Sequence, residues 1–224
     1  MVLELLLVRH GVTVMNETRR WQGWEDTPLS ELGAKQARRA AQALAKEWAP
    51  VTAFYCSPLR RALDTAQAVG VALGMQPVAV DGLRECDFGE VSGLTIGQIE
   101  AKHPGILGRW ADASEAGFAW PDGESRQAFF ARVRGAVDEI VRREQRGRVV
   151  IVAHGGSLRA ALHYLLPDEL PAWWDIALAN CSLTLVRIHA NGPALICLNA
   201  TSHLTDLATP DTVSRWSTET PSLP

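Results

Sequence analysis

The 224-residue chain is short of cysteine, of net charge and of long apolar runs, and each shortage excludes something. Its four cysteines, Cys56, Cys86, Cys181 and Cys197, are scattered with no Cys-x-x-Cys pair. That argues against a disulfide framework and a thiolate metal site; it predicts reduced, buried thiols suited to the cytoplasm. The net charge is −3, so no general basic surface exists for nucleic acid. A positive pocket on a mildly negative protein can still focus an anion. No apolar run approaches the roughly 18 residues of a membrane span. The N-terminus lacks a basic flank and meets Arg9 after a few apolar residues, so no signal peptide is expected. There is no His-Glu-x-x-His and no Gly-x-x-x-x-Gly-Lys, which argues against a zinc hydrolase and a nucleotide kinase. No metal and no cofactor are expected. Internal repeats, charge runs and low-complexity linkers are missing too.

What is present is a chain with 47% hydrophobic residues, enough to bury a sizeable core. Leu5 to Val8 is an unbroken apolar run and reads as a buried strand. Residues 12–29 read as a loop. Ser30 is a plausible N-cap for a helix reaching about Trp48. Val51–Cys56 reads as a second strand. Ser57 then serves as N-cap, and Pro58 as first-turn residue, of a helix ending at Gly74. Val78–Val80 is a short third strand. Residues 81–93 read as loop, short helices follow over 95–103 and 105–114, and a long helix spans about 124–145. Val149–Ala153 is the best central-strand candidate, followed by a helix over 157–166. Leu183–His189 and Ala194–Asn199, joined at Asn191-Gly192, read as a hairpin.

Strands alternating with helices predict an α/β fold: three layers, α/β/α, with a mostly parallel central sheet and an antiparallel edge strand. The expected organisation is a single domain over 1–205. Within it, 81–123 forms a small inserted cap, and 206–224 is an irregular tail. The hairpin edge leaves a homodimer open.

The first strand stops abruptly at Arg9, His10 and Gly11. Ligands in open α/β sheets sit beyond the carboxyl ends of strands, and a guanidinium beside an imidazole suits phosphate. The fuller pattern Arg9-His10-Gly11-x-Thr13-x-x-Asn16 resembles the signature of the histidine phosphatase superfamily, which includes cofactor-dependent phosphoglycerate mutases. Five fixed residues of average abundance would occur by chance in about one such chain in ten thousand. The resemblance implies that His10 is the nucleophile and becomes a phosphohistidine.

Three further segments resemble the same family. Ser57-Pro58-Leu59-Arg60-Arg61-Ala62-Leu63-Asp64-Thr65-Ala66 matches its Ser-x-x-x-Arg-Ala-x-x-Thr-Ala pattern, which implies that Arg61 binds phosphate and Arg60 faces solvent. Leu83-Arg84-Glu85 matches the loop that carries the family's general acid, implying that role for Glu85; the alternative is a loop glutamate paired with Arg84. The family's Phe-Gly-x-Trp-Glu-Gly continuation is altered here, with Val91 and Ser92 in place of Trp and Glu. His154-Gly155, after the best central strand, matches the family's second histidine, a donor to the phosphoryl oxygens. Arg9, Arg61, His154 and Asn16 are thus the implied phosphate-binding set, and Thr13, Gln22 and Gly23 the implied substrate contacts. Asp87 and Glu124 are weaker acid candidates. Trp21 and Trp24 flank the Gln22-Gly23 pair and are candidates to line the pocket. His103, His163, His189 and His203 lack such settings.

Together these features predict a metal-independent phosphomonoesterase acting on small-molecule phosphate esters, resembling broad-specificity or α-ribazole phosphatases. One alternative is a phosphoglycerate mutase, although the compact stretch from Glu85 to Gly123 favours hydrolysis. Another is a non-catalytic phosphate-ligand binding protein on the same fold.

Overall fold

The computed structural model describes residues 2–112, 114–115 and 117–207. The irregular tail expected for 206–224 lies, beyond Leu207, outside the described residues. Six strands form one sheet: β1 (Leu3–Arg9), β2 (Ala53–Cys56), β3 (Val78–Ala79), β4 (Gly147–Ala153), β5 (Leu183–His189) and β6 (Gly192–Ala200). Their order is β3-β2-β4-β1-β5-β6. The first four run parallel, and β5 and β6 are antiparallel additions at one edge.

Alternation along β1 builds two cores from one apolar run. Leu5 and Leu7 face one side, where α6 (Arg126–Arg143) and α7 (Gly155–Leu165) pack through Ile140, Leu158 and Leu162. Leu6 and Val8 face the other, against α2 (Glu31–Glu47) and α3 (Arg60–Leu73) through Leu44, Ala62 and Val69. The result is the expected three-layer α/β/α arrangement.

Between β3 and α6 the chain makes two short helices, α4 (Ile96–Lys102) and α5 (Ile106–Ala111). They enclose a third core dominated by aromatic rings, including Trp110, Phe118, Trp120 and Phe129. Arg126 ties it together by donating to the carbonyls of Arg109, Trp110, Asp112 and Glu115.

Several local expectations shift. A short helix, α1 (Val14–Glu17), interrupts the expected 12–29 loop, because Thr13 and Asn16 form a capping box. The long helix starts at Arg126 behind its N-cap Ser125 and ends at Arg143, earlier than expected. Gly147 does not end that helix; it opens β4 in a left-handed conformation (φ 89°). Ser57 does not cap α3, whose N-cap is Leu59 with no side-chain hydrogen bond.

Candidate active site

Strand register decides which side chains meet. β1 and β4 are adjacent and parallel, with Arg9 opposite Ala153. The next residues, His10 and His154, therefore emerge side by side, their ring centroids 5.2 Å apart. β2 flanks β4 with Cys56 opposite Val152. Ser57 thus leaves the sheet at the same end, and the first turn of α3 carries Arg61 in behind it.

His10 is 3% exposed and Arg61 1%. His10 Nδ1 lies 2.7 Å from the Gly11 carbonyl, and Arg61 Nε lies 3.3 Å from His10 Nε2. A carbonyl can only accept and a guanidinium can only donate. The proton therefore sits on Nδ1, and Nε2 is unprotonated, its lone pair facing the Arg61 Nε–H. Burial, then the charges of Arg61 and Arg9, hold the His10 pKa well below its ordinary 6.5. The ring is neutral at pH 7 and nucleophilic at Nε2.

Arg61 also donates to the carbonyls of Glu25 (2.9 Å) and Gly23 (2.8 Å). The Gly23 backbone adopts φ +50°, and a Cβ there would stand 2.9 Å from Ser92 Oγ, so its carbonyl reaches Arg61 only because position 23 has no side chain. Thr65 ties Arg61 to the residue after His10, donating to Arg61 O (2.7 Å) and accepting from Gly11 N (3.1 Å). Arg60, by contrast, is exposed and sits near Asp64. Arg9 Nη1 donates to Leu178 O at 2.6 Å. Its Nε is buried with no partner among the described residues. Burial, with Arg159 adding to it, draws the Arg9 pKa down to about 10, and burial does the same to Arg61. Both remain cations at pH 7.

His154 is fully buried, and its pKa is also well below 6.5, through burial and then the charge of Arg61. Ser57 Oγ lies 2.7 Å from its Nε2. Glu85 reaches the start of α7, two residues past His154. Its Oε2 accepts from Gly156 N (2.8 Å) and its Oε1 from Cys86 N (2.9 Å). Arg84 turns away to Asp81 at 2.9 Å and lies over the Trp24 ring, so the local Arg84–Glu85 pairing does not form. The acid loop is held from outside by Arg132, which donates to the carbonyls of Gly82, Arg84 and Glu85 and pairs with Glu124. Asp87 caps its own turn at Gly89 N.

His10, Arg9, Arg61, His154 and Glu85 thus converge. Thr13, Asn16 and Gln22 form a separate cluster on the adjoining loop. Thr13 Oγ1, with one proton to give, lies 2.9 Å from Gln22 Oε1 and 3.1 Å from Asn16 Oδ1, and the Thr13 backbone N–H donates to Asn16 Oδ1 at 3.1 Å. Both carboxamide oxygens point at Thr13, so both NH2 groups point away from it. Trp21 packs into the aromatic core with Phe88 and Trp120, and Trp24 donates its Nε1–H to the Glu85 carbonyl. Sequence reasoning missed Asn180, whose Nδ2 donates to the His10 carbonyl at 2.9 Å. Ser57 and Thr65 stood inside a quoted motif, but no local signal marked their partners. Among the described residues, no cluster of three or more His, Cys, Asp or Glu side chains is placed to hold a metal ion.

A family model described as the histidine phosphatase superfamily (branch 1) matches residues 5–201. The chain belongs to that superfamily. This histidine phosphatase is 32% identical over 203 residues to phosphoserine phosphatase 1 of Hydrogenobacter thermophilus, covering 91% of this chain and 95% of that protein. It is 38% identical over 194 residues to the glucosyl-3-phosphoglycerate phosphatase of Mycobacterium tuberculosis, covering 83% and 85%. The native structure of mycobacterial glucosyl-3-phosphoglycerate phosphatase superposes with a TM-score of 0.79 at 36% identity, over 90% of this chain and 100% of that one. The named relatives are phosphatases, and this member is accordingly a phosphoric monoester hydrolase. No helix among the described residues is long and apolar enough to cross a membrane.

Two outcomes follow from the site's packing. The unfolded chain binds protons on histidine below pH 6.5, whereas the buried rings of His10 and His154 resist them. Stability is therefore full above pH 6.5 and is lost as pH falls below it. The urea midpoint is expected to drop between pH 7 and pH 5, and His10→Ala to drop less; equal drops would show that His10 titrates freely. In addition, a Cβ on Gly156 would stand 2.2 Å from Glu85 Oε1. Gly156→Ala is expected to displace the acid and slow alkyl phosphate hydrolysis about 10²-fold, with p-nitrophenyl phosphate much less affected. Unchanged alkyl phosphate kinetics would show that the carboxyl does not need this seat.

Proposed function

We propose that this phosphatase hydrolyses small phosphate monoesters without a metal, through a phosphohistidine on His10. The observation that carries this reading is the unprotonated Nε2 of His10, facing the Arg61 guanidinium inside a buried cationic site. Nε2 attacks phosphorus in line, and the P–O ester bond breaks as the N–P bond forms. Glu85 gives its proton to the leaving alkoxide. Water then attacks the phosphohistidine while the Glu85 carboxylate takes a proton from it, releasing inorganic phosphate and restoring the lone pair.

Phosphoryl transfer asks the protein mainly for position and charge. Arg9 and Arg61 supply the positive potential, each worth roughly 4 kcal/mol at about 4 Å from a phosphate oxygen before desolvation. His154 donates to an equatorial oxygen. The NH2 groups of Asn16 and Gln22, turned away from Thr13, supply further donors, and Gly23 acts through its carbonyl on Arg61. The segment 81–123 serves as a cap that shapes the space for the alcohol part of the ester. Four free cysteines, three of them buried, support a cytoplasmic setting.

The test is phosphate release across a panel that includes p-nitrophenyl phosphate, phosphoserine and glucosyl-3-phosphoglycerate, the last two taken from the names of relatives. Parallel turnover of 3-phosphoglycerate with trace bisphosphate separates hydrolase from mutase. Release of phosphate with no mutase flux is expected. Mutase flux exceeding release, or tight binding of phosphate esters with neither, would overturn the reading.

A further inference from the structure

The two nitrogens of His154 have different settings. Nε2 lies 2.7 Å from Ser57 Oγ. Nδ1 is buried with no hydrogen bond of ordinary length and angle among the described residues, although the ring stands at the N-cap of α7 facing the Ser157 backbone N–H. Both residues are 0% exposed, so bulk water does not average the ring between tautomers. Burial and the neighbouring charges keep the ring neutral. A neutral imidazole carries one proton, so one nitrogen donates and the other accepts.

Ser57 has an unusual setting for a serine between a strand and a helix. Such residues normally cap, but α3 starts at Arg60 with Leu59 as its N-cap. The Ser57 backbone N–H is fixed to Val152 O at 2.9 Å, which holds the side chain under the end of β4. Its Oγ accepts the Leu59 N–H at 3.3 Å. With that lone pair used, His154 Nε2 at 2.7 Å is the acceptor within reach of the hydroxyl proton.

The consequence for chemistry is direct. With Nε2 engaged by Ser57, Nδ1 is the nitrogen left for a phosphoryl oxygen. A proton on Nε2 would leave Nδ1 as a lone pair that repels that oxygen. We infer that Ser57 is a positioning residue for phosphoryl transfer: its hydroxyl donates to His154 Nε2 and so holds the ring proton on Nδ1, as the donor to the transferring group. The inference rests on the role given to His154 above and extends it to a residue that touches no substrate. It parallels the way a second partner fixes the tautomer of other catalytic histidines.

Ring nitrogen shifts of His154 in uniformly ¹⁵N-labelled resting enzyme read the tautomer without any turnover. Nδ1 is expected to be protonated and Nε2 bare. In Ser57→Ala the ring should shift toward Nε2 protonation, and kcat for p-nitrophenyl phosphate should fall at least ten-fold. The limit is the roughly 10²–10³-fold loss of one oxyanion donor. KM should change little, and the phosphoenzyme burst should slow with kcat. Ser57→Thr, which keeps a hydroxyl, should restore tautomer and rate together. Protonated Nε2 in the wild type, or Ser57→Ala with unchanged tautomer or unchanged kcat, would overturn the inference. The wild-type spectrum decides alone if the alanine variant does not fold. Absence of any phosphoenzyme in the wild type is a different result: it would remove the phosphohistidine reading while leaving the tautomer measurable.

Discussion

Replacing His10 by alanine is expected to abolish the covalent phosphoprotein and to lower turnover on the order of 10⁶-fold, the scale on which deletion of a nucleophile acts elsewhere. The reason is electronic as well as positional. Nε2 is the atom whose lone pair the Gly11 carbonyl and Arg61 leave uncommitted to a proton, whereas the His154 Nε2 is taken by Ser57. The fold should survive. Residue 10 is held through its backbone, with its N–H on Ala153 O and its carbonyl accepting from Asn180 Nδ2 and Cys181 N, and none of these bonds uses the imidazole. A melting curve close to the wild type, with no phosphate retained on the chain after rapid mixing with substrate, is the expected pair of results. A folded variant that still turns over would take the nucleophile's role from His10.

The second large effect concerns the leaving group. Glu85→Gln keeps the shape of the side chain and can still accept from Gly156 N and Cys86 N, but it has no proton to give. Alkyl phosphates, whose alkoxides leave poorly, should slow by about 10²–10⁴-fold. p-Nitrophenyl phosphate needs no protonation to depart and should slow far less. The second half-reaction, in which Glu85 takes a proton from water, sets a floor common to both substrates. Comparing burst rates with steady-state rates separates the two steps. Equal losses in the burst phase for both substrates would make Glu85 a binding group.

Much of this was legible in the chain because the central strands advertise themselves. Leu5–Val8 and Val149–Ala153 have no polar interruption, and strands of that kind lie inside a parallel sheet with both faces covered. Once they are central, His10 and His154 must meet at one end. Arg61 could be told from Arg60 by the position of Ala62, and the structure buries the first and exposes the second. The errors lie where long-range partners override local rules. Ser57 has the residue type and position of a helix cap, yet its hydroxyl goes to a histidine 97 residues away. The Arg84–Glu85 pairing that stood as the alternative to an acid role does not form, since Arg84 goes to Asp81 and Arg132 holds the acid loop. Asn180 is 170 residues from His10, and no periodicity or motif signals such a contact. The short helix α1 depended on a reciprocal Thr13–Asn16 bond that the two residue types permit but do not require.

The claim beneath all of this is that one imidazole nitrogen, in contact with Arg61 and under the charge of Arg9, takes the phosphoryl group. Rapid quench of the wild-type enzyme with substrate under alkaline conditions, followed by mass-spectrometric mapping of the labelled peptide, addresses it most directly. Phosphate attached to His10 through Nε2, appearing before free phosphate is released, is the predicted result. Steady release of phosphate with no labelled intermediate, or label on His154 or any other side chain, would contradict it.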